Sequence, residues 1–551
     1  MSASAPLRAA SASAGGASSA NAAAPGNKKR TGGGDGGDEP KVLVRQEGST
    51  TTILLNRPKA LNALDTEMIE MLIEAIDSTP QHTHIVLRGV GRALCSGGDV
   101  MAVVTNAASE DPKVRQKALE FFQLEFGLNY KIATLHQGQQ PRPYVSVMDG
   151  ITMGGGVGLS LHAPIRIATD KTLFAMPETG IGYFPDVGVT RCLSRLDGKV
   201  GQYLGMTGAR IMGEEAYLAG IATHFIPSSN IDTALHRLTS LPPNAPVSQL
   251  ATILDEFNVD PFNGETNAKG PEILSKTALL GERRVVLDYA FGQPSAEAVV
   301  SALGELASGS QGTQAAKELK SMLGIGQVNQ TISTFAAQTL ETLNLKSPRS
   351  LKVALIAITE ARRLDLDEQF RFDMRLATAF CDLGIGRDFH TGVLHTLTKD
   401  PKTGKRREGV APWDPPSLDR VNDEKIRTLF FGPVEKAKEA GLQMVVPQLQ
   451  GLSPSASSSK GAREQDKQRH DALRGLGPLN WEKNFNPFAL PSEAECAALV
   501  EGSHPASGST ALEADEVVGT LVNVKGGNRP ALALKVRDWL ERAHKRAGGK
   551  S

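Results

Sequence analysis

The 551-residue chain is 40% hydrophobic and 22% charged, which suits a globular protein whose core needs neither disulfides nor metals. Sixty Lys and Arg balance sixty Asp and Glu, so net charge gives no basis for binding nucleic acid or an anionic membrane. Cys95, Cys192, Cys381 and Cys496 are widely spaced with no CxxC pair, which argues against a disulfide framework or a zinc site, and no apolar run approaches the ~20 residues of a membrane span.

Residues 1–40 are dominated by Ala, Ser and Gly, with Arg8, Lys28, Lys29 and Arg30 and no acid before Asp35. An acid-poor, basic leader reads as a mitochondrial transit peptide, and the same composition also reads as a plain disordered tail. Order is expected from near Lys41. Val42–Val44 and Thr51–Leu55 predict two strands about a Gly48-Ser49 turn. Asn62 is placed to cap a helix over Ala63–Ser78. Ile85–Leu87 predicts a strand, Lys113–Leu135 a long helix, Tyr144–Met148 and Ile165–Ala168 two further strands.

Strand–turn–strand–helix units therefore recur, which predicts an α/β fold over residues 41–227 with sites at loops and helix starts. Residues 228–432 are mostly helical in pattern, through Leu250–Phe257, Pro271–Phe291, Ala296–Leu306 and Ser350–Asp382. Gly432-Pro433 suggests a boundary. Within 433–551, the Ser/Gly-rich stretch 453–463 and the charged stretch 465–474 read as a linker.

Three segments carry candidate chemistry. Arg92–Val100 leaves a strand through Ser96-Gly97-Gly98-Asp99, where glycines let backbone amides face a ligand. Gly150–Gly158 opens a helix on Gly154-Gly155-Gly156, exposing N–H groups and the positive end of the helix dipole. Met176–Gly188 sets Glu178 and Asp186 eight residues apart in a bent, apolar loop. Neither glycine run fits a dinucleotide or P-loop pattern. Two amide-donor loops with a carboxylate pair are the equipment of thioester chemistry.

These segments, with Asn56–Leu64, resemble the crotonase (enoyl-CoA hydratase/isomerase) superfamily. Phe174–Gly188, Ser347-Pro348 with Ser350–Lys352, and Asp388–Val393 are similar to its 3-hydroxyisobutyryl-CoA hydrolase branch. The resemblance spans about residues 40–432. It implies a crotonase-type spiral of strand-strand-helix units followed by a mainly helical C-terminal region. It places the thioester oxygen between the N–H groups of Gly98 and Gly155, makes Glu178 the catalytic carboxylate, and puts Asp186 and Glu125 at the substrate. Hydratases carry a second glutamate where this chain has Gly158, which favours hydrolysis over hydration.

The mechanism so implied has Glu178 act as nucleophile or as general base. Asp186 would bind a substrate hydroxyl or assist proton transfer. Coenzyme A enters as part of the substrate, with no separate cofactor or metal. In this family it lies near Lys59-Ala60-Leu61, so Lys59 is either a contact or a solvated loop lysine. His390 is expected to serve packing or capping. The resemblance also implies a mitochondrial place in valine breakdown. Fungal relatives are components of the mitochondrial small ribosomal subunit, which offers a second role, with or without activity, and a hydratase or isomerase is the third reading. Pro530–Arg546 predicts an amphipathic helix, read as a solvated charged helix because Asp538 and Glu541 interrupt its positive charge.

Overall fold

Strands in this chain come in pairs that serve two different sheets. The computed structural model describes residues 39–135, 141–323, 327–400, 403–405, 407–449, 488–507 and 512–548. The leader over 1–38 and the stretch 453–474 lie outside them. The strands are β1 (Val42–Glu47), β2 (Thr50–Leu55), β3 (His84–Gly89), β4 (Ala93–Cys95), β5 (Tyr144–Met148), β6 (Ile151–Met153), β7 (Ile165–Ala168), β8 (Leu173–Ala175), β9 (Ile211–Met212) and β10 (His224–Phe225).

One sheet runs β1-β2-β3-β5-β7-β10 and the other β4-β6-β8-β9. β3, β5 and β7 each cross a short turn into β4, β6 and β8, so each repeat contributes one strand to each sheet and then a helix. Pairing is parallel except at the ends, where β1/β2 and β8/β9 are antiparallel. This is the expected spiral. β5 and β7 are buried throughout, as parallel strands covered on both faces must be. Val86, Val145, Val147, Ile165 and Ile167 face Leu235, Leu238, Leu250 and Leu254, from the helices Ile231–Thr239 and Val247–Asp255.

Three expectations about helices are corrected. The first helix is Thr66–Ser78, and Asp65 is its N-cap, accepting from the Met68 amide. Asn62 instead has φ 55° and ties the turn together, accepting from Arg57 N–H and donating to the carbonyls of Val90 and Ala93. Pro271–Phe291 is two helices, Gly270–Lys276 and Gly281–Ala290, broken where Gly281 takes φ +59°. Ser350–Asp382 is also two, Pro348–Ala361 and Leu366–Cys381. Asp365 caps the second through a reciprocal box with Glu368, which restarts the hydrogen-bond ladder.

The described residues from Pro40 onward form one compact unit that includes the C-terminal extension. The helices Glu493–Val500, Ala514–Lys525 and Leu532–Gly548 add Cys496, Leu499, Val517, Leu521, Leu532 and Val536 to the main core. The last helix is therefore docked and not simply solvated. Lys535 reaches Asp197 at 2.8 Å, and Arg542 pairs with Glu493 at 2.7 Å. Arg284 bridges Glu493 and Asp288 at 2.9 and 3.0 Å. Lys535 finds its acid 338 residues earlier in the chain and Arg542 finds one 49 residues earlier, separations that local charge pattern cannot reveal. Among the described residues, no helix is long and apolar enough to cross a membrane. Nor is any group of three or more His, Cys, Asp or Glu placed to hold a metal ion.

Candidate active site

The glycine loops form a backbone cradle. Leu64 pairs across Gly98, its N–H donating to Gly97 O at 2.9 Å and its carbonyl accepting from Asp99 N–H at 2.7 Å. Alternation along the strand turns the N–H of Gly98 itself away from that bridge. Gly155 is the first residue of the helix Gly155–Leu161, where an N–H has no intrahelical acceptor.

Glu125 projects from the helix Pro112–Thr134 onto this cradle and is buried. A Cβ on Gly155 would lie 2.2 Å from Glu125 Oε1, and one on Gly98 would lie 3.8 Å from the same oxygen. A side chain at 155 would therefore displace the Glu125 carboxyl from the cradle. Glu178, at the start of a 3-10 turn Glu178–Ile181, puts its Oε1 3.1 Å from where a Gly154 Cβ would stand. The downstream motifs brace that turn: Ser347 N–H donates to Thr179 O at 3.1 Å, and Ser347 Oγ donates to Asp388 Oδ2 at 2.5 Å.

Asp186 sits on a strained bend. Val187 has φ 53° and Gly188 φ 74°, the first costly for a β-branched residue. The bend is held by His162 Nε2 on Val187 O at 2.8 Å and by Gly188 N–H donating to Asp373 Oδ2 at 2.6 Å.

Glu125, Glu178 and Asp186 are each almost fully buried, and all three resist ionisation. Burial, then Asp186, holds the Glu125 and Glu178 carboxyls well above the usual range. Burial pushes Asp186 up to about 7, opposed by its own backbone N–H and the Tyr183 hydroxyl. Lys346 acts on Glu178 in the opposite sense, its Nζ standing 3.5 Å from a Cβ position on Gly180. Such a cluster can deliver a carboxylate or a carboxylic acid near neutral pH.

The site therefore brings together Glu125, Glu178, Asp186, Gly98 and Gly155. Lys59 does not join them: it is exposed in the short turn Pro58–Ala60. His390 is half-buried, with burial and Arg387 lowering its pKa, and it sits in the first turn of Asp388–Leu397, whose N-cap is Arg387. Sequence reasoning missed Lys346 and Asp373. Lys346 directly precedes the quoted Ser347-Pro348 motif, whereas nothing local marks Asp373.

Gly158 is sterically fixed. A Cβ there would stand 2.7 Å from Val187 Cβ and 2.8 Å from Asn129 Nδ2. No side chain at 158, glutamate included, fits this arrangement.

A family model described as enoyl-CoA hydratase/isomerase matches residues 50–430. The small ribosomal subunit protein mS47 of Neurospora crassa is 36% identical over 67% of this chain and 67% of its own. The mitochondrial 3-hydroxyisobutyryl-CoA hydrolase of Xenopus tropicalis is 35% identical over 69% of this chain and 85% of its own. 3-Hydroxyisobutyryl-CoA hydrolase 1 of Arabidopsis thaliana is 33% identical over 71% and 91%. Among solved structures, a carnitinyl-CoA dehydratase from Mycobacterium thermoresistibile superposes with a TM-score of 0.56 at 28% identity, over 75% of this chain and 100% of that one.

Proposed function

Because the chain belongs to the enoyl-CoA hydratase/isomerase family, we propose that it hydrolyses an acyl-CoA thioester, 3-hydroxyisobutyryl-CoA being the preferred substrate, as a mitochondrial step of valine breakdown. The observation that carries this reading is the packing at Gly158. Hydration of a double bond needs two carboxylates to manage one water, and the second has no room here. Glu178 is left as the carboxylate at the Gly154-Gly155 cradle, with Asp186 and Glu125 beside it.

In this reading the Gly98 and Gly155 amides take the thioester oxygen as negative charge builds on it, each such donor contributing ~10²–10³ in rate. Glu178 then follows one of two routes. As nucleophile, its carboxylate bonds to the acyl carbon, the C–S bond breaks, CoA leaves as thiolate, and water opens the resulting anhydride. As general base, it takes a proton from water as the water oxygen attacks. Either route ends in one carboxylic acid and one CoA thiol. A single turnover in ¹⁸O-water tests the first route, since water that opens the anhydride at the Glu178 carbonyl puts label into Glu178, which the general-base route cannot do. Burial suits both, because a poorly solvated carboxylate is more basic and more nucleophilic than an ordinary one. Asp186 binds the acyl hydroxyl or assists proton transfer.

The test is a panel of acyl-CoAs with detection of free thiol. Release of CoA from 3-hydroxyisobutyryl-CoA without hydration of crotonyl-CoA is expected, and hydration at a comparable rate would refute the assignment. A second reading, attachment to the mitochondrial small ribosomal subunit, is favoured by the mS47 relative. Co-sedimentation of the chain with that subunit tests it, and a chain found only in free fractions would dismiss it.

A further inference from the structure

Asn129 is fully buried, and neither its side-chain nitrogen nor its oxygen has a hydrogen-bond partner. A buried amide left unpaired costs stability and calls for a reason. Its placement supplies one. Asn129 lies four residues beyond Glu125 on the helix Pro112–Thr134, so the two side chains share one face. On the helix Gly155–Leu161 opposite, Gly155 and Gly158 are likewise three apart on one face. Glu125 Oε1 meets Gly155, while Asn129 Nδ2 and Oδ1 come within 2.8 and 3.0 Å of a Cβ position on Gly158. Val187, next to Asp186, closes on the same point at 2.7 Å. The amide thus lies one helical turn along from Glu125, beside the bend that carries Asp186.

We propose that Asn129 is a specificity-determining residue whose carboxamide binds a neutral hydroxyl on the acyl group, donating through Nδ2 and accepting through Oδ1. The chemistry selects that ligand class. A hydroxyl is both donor and acceptor, as the amide is. An acyl carboxylate would use only the donor and would bring a negative charge beside Glu125, Glu178 and Asp186, whose own ionisation burial already opposes. A plain alkyl chain would leave both amide atoms unpaired. The inference rests on the thioester-hydrolase reading and assigns the acyl recognition within it.

The test is Asn129→Leu, a near-isosteric apolar replacement, in the full-length protein. Three quantities are read: Tm, kcat/KM for 3-hydroxyisobutyryl-CoA against isobutyryl-CoA, and Kd for the uncleavable thioether analogues of both. Removing an unpaired buried polar group should leave Tm equal or higher. The preference for the hydroxylated compound should fall about tenfold or more in both kcat/KM and Kd. Asn129→Ser, which keeps a donor and acceptor, should retain part of it, and it carries the same readouts if the leucine variant does not fold. An unchanged preference overturns the proposal. Equal slowing of both substrates at unchanged Kd also overturns it, placing a water on the amide instead. If the wild type cleaves no thioester, the hydrolase reading fails by itself. The analogue Kd values then decide: a wild-type preference lost in Asn129→Leu sustains the proposal, and no preference in the wild type ends it.

Discussion

Replacing Asp186 by Asn should remove a pH-dependent weakness from the fold. Burial holds the Asp186 carboxyl at about 7 against its ordinary 3.8. A carboxyl raised in this way favours the folded state only while protonated. Stability from this group is therefore full below 3.8, declines as pH rises toward about 7, and is level above that. A rise from 3.8 to about 7 corresponds to about 4 kcal/mol, at about 1.4 kcal/mol per pH unit. Most of that decline, about 3 kcal/mol, falls between pH 5 and pH 8. Asn keeps the size and hydrogen-bonding capacity of the side chain without its ionisation. Glu125 and Glu178 gain as well, since Asp186 is the neighbouring charge that acts most strongly on each. Urea unfolding of both proteins at pH 5, 6.5 and 8 measures the effect. The variant should gain about 3 kcal/mol on the wild type across that range at an unchanged denaturant slope. Parallel stability curves would refute the reasoning, because Asp186 would then ionise in the fold as freely as in the unfolded chain.

Glu178→Gln should lower kcat by at least ~10² while thioether-analogue binding persists, and near-normal turnover would make Glu178 structural. Gly155→Ala drives a methyl to 2.2 Å from Glu125 Oε1, so turnover should fall by ~10² or more, and an active variant would remove Gly155 from the cradle. Because burial and Asp186 raise the Glu178 carboxyl above its ordinary 4.5, kcat should fall on the acid side at a pH well above 4.5. A limb at the ordinary value, read from a pH–rate profile, would contradict this. Arg542→Ala takes one of two arginines from Glu493 and the buried guanidinium from Asp538 and should cost about 1–3 kcal/mol, seen as a lower unfolding midpoint, whereas an unchanged midpoint would mean that this pairing adds nothing to stability.

Much of the site was legible because its constraints are local. Glycine at 154–156 announces a backbone that must come close to something, and two carboxylates in an apolar bend announce perturbed ionisation. Tyr144–Met148 and Ile165–Ala168 read correctly as strands because buried parallel strands are short unbroken apolar runs. What stayed hidden depends on distance or on breaks in phase. Apolar spacing continues through Gly281 and Asp365, so two pairs of helices looked like two single ones, although the Asp365–Glu368 box was a readable restart. Asn62 has the composition of a cap, yet its left-handed backbone and its bonds to Val90 and Ala93 come from a tertiary turn. Asp373 lies 187 positions from Asp186 and acts through one backbone amide, a relation no spacing rule encodes. Asn129 sat in view four residues from Glu125, but burial without a partner is visible only in three dimensions.

The docked extension also bears on what could attract this chain to an RNA-rich particle. Lys535 and Arg542 are committed to acids inside the molecule. On the outer side of the same helix, Arg537 is paired with Asp515 and Lys545 with Glu541. A phosphate backbone recruits protein chiefly by trading its condensed counterions for free cationic side chains, and the strength of that exchange falls steeply with added salt. Cations already neutralised by neighbouring carboxylates release few counterions. Any assembly formed through this face should therefore depend on shape and on protein neighbours, and it should hold at salt concentrations that strip charge-driven RNA binders from the same particle.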